Sequence, residues 1–532
     1  MPIALLAIHL ACAPIPSAAP PARETTVVSA LAPVVTATLA APATTLPPPK
    51  KNVTLIVART DDLKGLDPHK APTAATWRAL ELIYDSLFTF DQDLKPIANL
   101  AETWKWSDDG KTLSVTLRKN VKFHNGDPLT ADDVKFSLER IRDEKTGAVA
   151  RASLADIDKL ETPDATTVVF TLKRANAALP AILASANTAI LSKKWIAGGA
   201  DPATQVVGTG AFKFVSWEAG RALVLAANPN FWIAGLPRID QLELRVLPDE
   251  AAIFAGLTAK TFDVGILSDL RVVNRANPAN SALIVTRAPA LGFYALQLNA
   301  TRPTFADVRV RQAIACALDR QEIIDAAFAG EGVLTGAITV PFYRAPLDDL
   351  PCVKKDSDKA RQLLADAGKM SGVKFKALVV RDEFGAQIAQ AQNIQAQLRR
   401  VGIETEIETL DPNAYADRWY KGDFDAAILF AGGHPDPDVM LARYWHSTGN
   451  LNKLAAYTHP ELDRLLDQAR AATDLDKRKM LYTQVQTKLA EAAPWVWLSS
   501  PHEYCAAQPY VKNFAALANG SLLALRETWV EK

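Results

Sequence analysis

Seven histidines and four cysteines have the widest chemical repertoire in this chain, and their spacing argues against most of it. No histidines stand in H-E-x-x-H and no cysteines in C-x-x-C, the arrangements with which a helix or turn holds a metal. No G-x-S-x-G turn offers a serine nucleophile, and Gly208-Thr209-Gly210 is too short for a dinucleotide- or phosphate-binding loop. Carboxylates are plentiful, but spacing singles out no catalytic pair. These absences argue against enzyme activity, a resident metal and a cofactor.

Arg381 follows directly on the apolar run Phe375–Val380. A guanidinium fork there can pair both oxygens of a carboxylate, or it is a surface arginine paired with Asp382 or Glu383. Trp77 stands in Thr73-Ala-Ala-Thr-Trp77, either as a stacking platform or as a core residue at a helix entrance. The loop Phe430-Ala-Gly-Gly-His-Pro-Asp-Pro-Asp438 holds Gly433, His434 and Asp436. His434 is either a polar contact for a ligand or a solvated loop histidine, and no cluster of His, Cys and carboxylate makes it a metal site.

A chain of 532 residues exceeds one ordinary core, so two or three domains are expected. Lys plus Arg equals Asp plus Glu at 59 each, which removes the bulk positive charge expected of nucleic-acid binding. Residues 3–13 form a short apolar stretch, too short to cross a bilayer and similar to the core of a secretory signal. Leu10-Ala11-Cys12 is similar to the end of a bacterial lipobox, in which Cys12 is lipidated, although His9 stands where an aliphatic residue is usual. Residues 13 to 50 are rich in Ala, Pro and Thr and end in Leu46-Pro-Pro-Pro49, a tether without enough apolar surface to fold. Cys316 sits in an apolar helical run and reads as a small core residue, while Cys352 and Cys505 are the candidates for a disulfide.

The elements that must position these residues follow from periodicity. Val53–Ala58 reads as a buried strand, and Thr76–Leu87 carries apolar residues at helical spacing. Thr130-Ala-Asp-Asp133 opens a helix with a capping box, and Thr167–Leu172 alternates as a strand. Val308–Phe328 reads as one amphipathic helix. Beyond it, helices at Asp358–Ala367, Ala386–Val401 and Asn413–Lys421 alternate with strands at Phe375–Val380, Ile403–Ile407 and Phe424–Phe430. Such alternation predicts α/β layers.

These elements in this order resemble the peptide- and nickel-type solute-binding proteins of ABC importers (solute-binding family 5), over roughly residues 53–515. The stretch Leu100-Ala-Glu-Thr-Trp104, Ser107-Asp-Asp-Gly-Lys-Thr-Leu113, Leu117–His124 and Gly126-Asp-Pro-Leu-Thr-Ala-Asp-Asp-Val134 is similar to the family's signature. Gly208-Thr-Gly-Ala-Phe212 and Val310-Arg-Gln-Ala-Ile314 with Leu318-Asp-Arg320 extend the resemblance, with Ala211 where proline is usual. The resemblance implies an α/β, two-lobed periplasmic-binding-protein clamp with an extra subdomain on the first lobe. It divides the chain into a leader and tether (1–50), first lobe (51–90, 208–290 and 498–532), extra subdomain (91–207) and second lobe (291–497). It also implies an exported monomer, periplasmic or in the cell envelope, that touches the membrane only through a possible lipid anchor. Its partners would be a small-molecule or peptide ligand and the permease subunits of an importer, or else a signalling receptor.

In dipeptide-binding relatives an arginine at the position of Arg381 holds the ligand carboxylate, and an aspartate at the position of Gly433 receives its ammonium. Gly433 departs from that pattern. A buried ammonium without a carboxylate is expensive. Either Asp436, Asp438 or Glu383 substitutes, or the ligand is something other than a free-amine peptide. Opines, sugars and nickel chelates stay open, and ordinary unblocked dipeptides are expected to bind poorly.

Overall fold

The computed structural model describes residues 53–277, 281–381 and 385–531. Cys12, the segment up to residue 50 and Glu383 lie outside the described residues. Among the described residues, no helix is long and apolar enough to cross a membrane.

The strand Thr54–Arg59 buries Leu55, Val57 and Ala58 completely, as its apolar run requires. It lies inside a seven-stranded sheet, pairing in parallel with Gln241–Val246 on one side and Val264–Leu267 on the other. Ala222–Ala227 and Phe212–Glu218 extend one edge, and His502–Ala507 and Ile284–Pro289 the other. A second sheet, of six strands, runs Val333–Leu334, Trp495–Ser500, Phe293–Leu298, Ala426–Ala431, Val373–Val380, Ile403–Leu410. Its last three strands are parallel and flanked by helices such as Ala386–Arg399, the α/β arrangement that the alternation predicts. A third, antiparallel sheet of four strands holds Ala101–Trp106, Thr112–Leu117, Thr167–Leu172 and Ile157–Asp164. Beside it lies the helix Ala131–Arg142, whose Thr130–Asp133 capping box is present as expected.

Separate apolar clusters fill these layers. Two pack on the seven-stranded sheet, another on the four-stranded sheet, and two large ones cover the six-stranded sheet. The chain passes from the seven-stranded to the six-stranded sheet between Pro289 and Phe293, and returns between Ser500 and His502. Two lobes joined by two short crossings are the result.

Three expectations need correction. The predicted helix over 76–87 ends early, as Ala74–Leu80. Its last residues turn instead because Gly210 and Phe212 donate backbone hydrogen bonds to Ile83 and Leu82. A Cβ added at Gly210 would run into the Ile83 backbone, so this crossing needs glycine. The predicted helix 308–328 is two helices, Val308–Ala317 and Arg320–Phe328. Asp319 caps the second by accepting from the Glu322 N–H, and the buried Arg320 guanidinium donates to the carbonyls of Trp497, Cys352 and Val353. That anchor draws the 352 segment against the first helix, where Cys352 forms a disulfide with Cys316. Cys505 stays a free, buried thiol on the strand His502–Ala507, and burial pushes its pKa up to about 12.

Candidate functional site

A cleft of about 1480 Å³ lies between the two lobes beside the crossings. The helix Ala74–Leu80, started by Thr73 accepting from the Thr76 N–H, carries Trp77 and Arg78 into its first wall. Trp77 packs partly on the first-lobe core and also lines the cleft, so both readings of it describe part of its surface. Arg78 donates to Glu503 and to the Asn519 carbonyl at 3.1 Å each, and its guanidinium lies 5.4 Å from the Trp77 ring. One turn on, Glu81 accepts from the Ser521 hydroxyl at 2.8 Å and from the Leu522 N–H at 2.6 Å. Burial pushes the Glu81 carboxyl up to about 7, against the opposing pull of those two hydrogen bonds and of Arg78 and Arg526.

The second-lobe wall has different chemistry. Phe430, near the end of the strand Ala426–Ala431, is 49% exposed. Its ring lies 4.9 Å from Tyr294, which in turn lies 5.2 Å from Phe328. Such a tier of rings is an apolar platform facing solvent. Ile97 and Val149, 37% and 52% exposed, continue the apolar surface on the flank nearest the four-stranded sheet.

The loop after Phe430 brings Gly433 and His434 to the cleft. A Cβ added at Gly433 would run into the backbone and side chain of Leu291. The glycine is thus required by packing, and an aspartate cannot stand there without moving that backbone. His434 accepts the Asp436 N–H on Nδ1 at 3.0 Å, which assigns its hydrogen to Nε2. Burial lowers its pKa, so near neutral pH it is a neutral N–H donor.

Asp436 and Asp438, two expected stand-ins for the missing aspartate, lie beneath this wall and are fully engaged there. Asp436 receives two bonds from Arg478, at 2.6 and 2.8 Å, with both side chains 1% exposed. Arg478 is further held by Tyr343, Tyr482 and the Ala469 carbonyl. Asp438 is paired with Arg470 at 3.0 Å. Asp436 also caps the helix Pro437–Trp445, so its carboxylate fixes the loop and is closed to a ligand. Arg381 is exposed at the end of the strand Val373–Val380, and its N–H donates to Leu410; it does not line the cleft as the lobes stand.

Sequence reasoning missed Glu81, the Tyr294–Phe430 platform and one link between the lobes. Glu331, on the second lobe, pairs with Arg287 at 2.8 Å and accepts from the Tyr504 hydroxyl at 3.0 Å. His502 lies 3.5 Å from the same carboxylate. Arg287, His502 and Tyr504 all belong to the first-lobe sheet next to the crossings. Among the described residues, no group of three or more His, Cys, Asp or Glu is arranged to hold a metal. The site offers hydrogen bonds, paired charges and apolar surface, which is the equipment for grasping a solute.

Residues 95–452 match the family described as bacterial extracellular solute-binding proteins, family 5 Middle. Heme-binding protein A of Haemophilus influenzae is 28% identical over 81% of this chain and 84% of its own length. The dipeptide-binding protein of Escherichia coli K12 is 27% identical over 83% of this chain and 88% of its own. The structure of HbpA2 from Haemophilus parasuis superposes with a TM-score of 0.81 at 25% identity, covering 90% of this chain and all of that one. The chain belongs to the family 5 extracellular solute-binding proteins, a family of binding proteins with the two-lobed fold.

Proposed function

We propose that this family 5 protein is the capture component of an ABC importer, closing its two lobes on a peptide-like or other small solute and delivering it to the membrane permease. The observation that carries this reading is the cleft itself, walled by residues from both lobes at the two crossings. A solute touching both walls favours the closed arrangement by its better affinity for it, and a permease can then recognise that shape. We take residues 51–90, 208–290 and 498–532 as the first lobe, 91–207 as its extra subdomain and 291–497 as the second lobe.

In this reading Arg381 swings toward the cleft on closure and pairs a ligand carboxylate, while Trp77 and the Phe430 ring cover apolar parts of the cargo. His434 contributes a neutral donor. Relatives named for heme and for dipeptides show how widely cargo varies on this fold. The packed glycine at 433 speaks against the dipeptide mode, in which an aspartate there meets the amine. The protein has no catalytic step of its own, and it acts as an exported monomer tethered through a lipid on Cys12. Thermal-shift screening with oligopeptides, opines, sugars and metal chelates tests the reading, followed by uptake in cells with and without the chain. Stabilisation by one solute class together with loss of its uptake on deletion is expected. Conversion of a bound solute to product would replace capture by catalysis.

A further inference from the structure

Five charged side chains line the first-lobe wall close to one another: Arg78, Glu81, Glu503, Arg526 and Glu527. Four of them form pairs, Arg78 with Glu503 at 3.1 Å and Arg526 with Glu527 at 3.4 Å. Glu81 is left over. The other cleft carboxylates have partners or stand in water. Asp269 is paired with Arg271 and Glu331 with Arg287, Asp91 accepts two backbone N–H groups, and Asp325 is exposed.

Glu81 is held in place by hydrogen bonds that all reach one oxygen. Both the Ser521 hydroxyl and the Leu522 N–H donate to Oε1. Among the described residues no donor reaches Oε2, which belongs to a half-buried residue of the cleft wall. A carboxylate fixed through one oxygen, with the other left open at the cleft wall and no ion pair of its own among the described residues, is a good receptor for a donor that arrives with charge.

We propose that Glu81 receives a protonated nitrogen of the solute, so that the amine-binding group of this protein sits on the first lobe and not on the second-lobe loop at Gly433. This rests on the cleft being the capture site. The ligand class is a solute with an ammonium or other protonated amine and an apolar body suited to Phe430 and Tyr294. The partially protonated carboxyl gives its proton to the buffer as the ammonium docks, while Arg78 and Arg526, already paired, keep their partners. Binding therefore releases a fraction of a proton near neutral pH.

The test uses calorimetry on the full exported chain with the tetrapeptide Ala-Phe-Phe-Ala and its N-acetyl form as probes. Wild type is expected to bind the free amine at least tenfold more tightly than the acetylated peptide. In Glu81→Gln, which keeps an acceptor for Ser521 and Leu522, that ratio falls below threefold. Titrations of the wild type at pH 7 in buffers of different ionisation enthalpy need no variant, and they should show proton release with the free amine only. A ratio that survives Glu81→Gln, equal binding of the two peptides, or the absence of proton release overturns the proposal. If only solutes without an amine stabilise the protein, the proposal falls and capture stands. If no solute of any class does, the capture reading falls and takes this one with it.

Discussion

The two walls of the cleft hold similar numbers of charged groups at different depths. On the first lobe Arg78, Glu81, Glu503, Arg526 and Glu527 face the cleft, and a solute can alter their balance directly. On the second lobe the strongest pairs, Asp436–Arg478 and Asp438–Arg470, lie below a surface of rings, glycine and a neutral histidine. Charge at the surface is available for recognition, because water and ligand compete for it. Charge beneath the surface holds a loop in one shape, since removing either partner strands the other in a medium that solvates it poorly. The cleft thus separates a wall that senses polarity from a wall that sets shape.

Disturbing the buried pair is the severest way to break that division. Asp436→Ala is expected to cost about 3–5 kcal/mol of stability in chemical denaturation, by leaving Arg478 buried without its carboxylate. Lost affinity with unchanged stability would instead make Asp436 a ligand contact. Arg381→Ala should weaken a carboxylate-bearing solute by about 2–5 kcal/mol in calorimetry if the arginine closes over it, with folding unaffected. An unchanged dissociation constant would confine recognition to the walls already in place.

Gly433→Asp should destabilise by about 1–3 kcal/mol through its clash with Leu291 and should confer no affinity for free dipeptides. Tight dipeptide binding by that variant would return the amine site to the second lobe. The first-lobe wall can be probed by pH. Glu81 keeps its proton to a higher pH in the folded chain than in the unfolded one, so between about pH 4 and its folded value of about 7 its contribution to stability falls as pH rises. Glu81→Gln removes that slope and should gain about 1–3 kcal/mol over wild type on going from pH 5 to pH 8, read by denaturant unfolding at each pH. A parallel profile would mean that Glu81 titrates as an ordinary surface carboxylate. The smallest effect is expected at Phe430, already half in water, where Phe430→Ala should lower affinity for an aromatic solute by about 0.5–1.5 kcal/mol.

Periodicity made the α/β layers legible, because strands such as Val373–Val380 are apolar runs bounded by helices with clear caps. The break at Leu318–Asp319 was also written in the chain, as an N-cap aspartate with Glu322 three residues on, but continuous apolar spacing on both sides concealed it. The Cys316–Cys352 bond depends on that break and on Arg320 gathering distant carbonyls, a long-range event with no local signal. In the site, Trp77, Gly433 and His434 were reachable through family resemblance. Glu81 lies four residues after Trp77, as the C-cap of the helix Ala74–Leu80, yet nothing local distinguishes it from a surface glutamate. Its character comes from Ser521 and Leu522, about 440 residues away in the chain.

The carbonyl of Leu291 pressed against Gly433 also bears on how cargo preference can change over generations. A single codon change would put an aspartate at 433, but the resulting protein would meet a folding penalty before it met a new ligand. Descendants drawn toward dipeptides would first need a neutral shift of the crossing near Leu291, or else a different route through the first lobe. Glycine there works as a ratchet: easily kept, and costly to leave in one step.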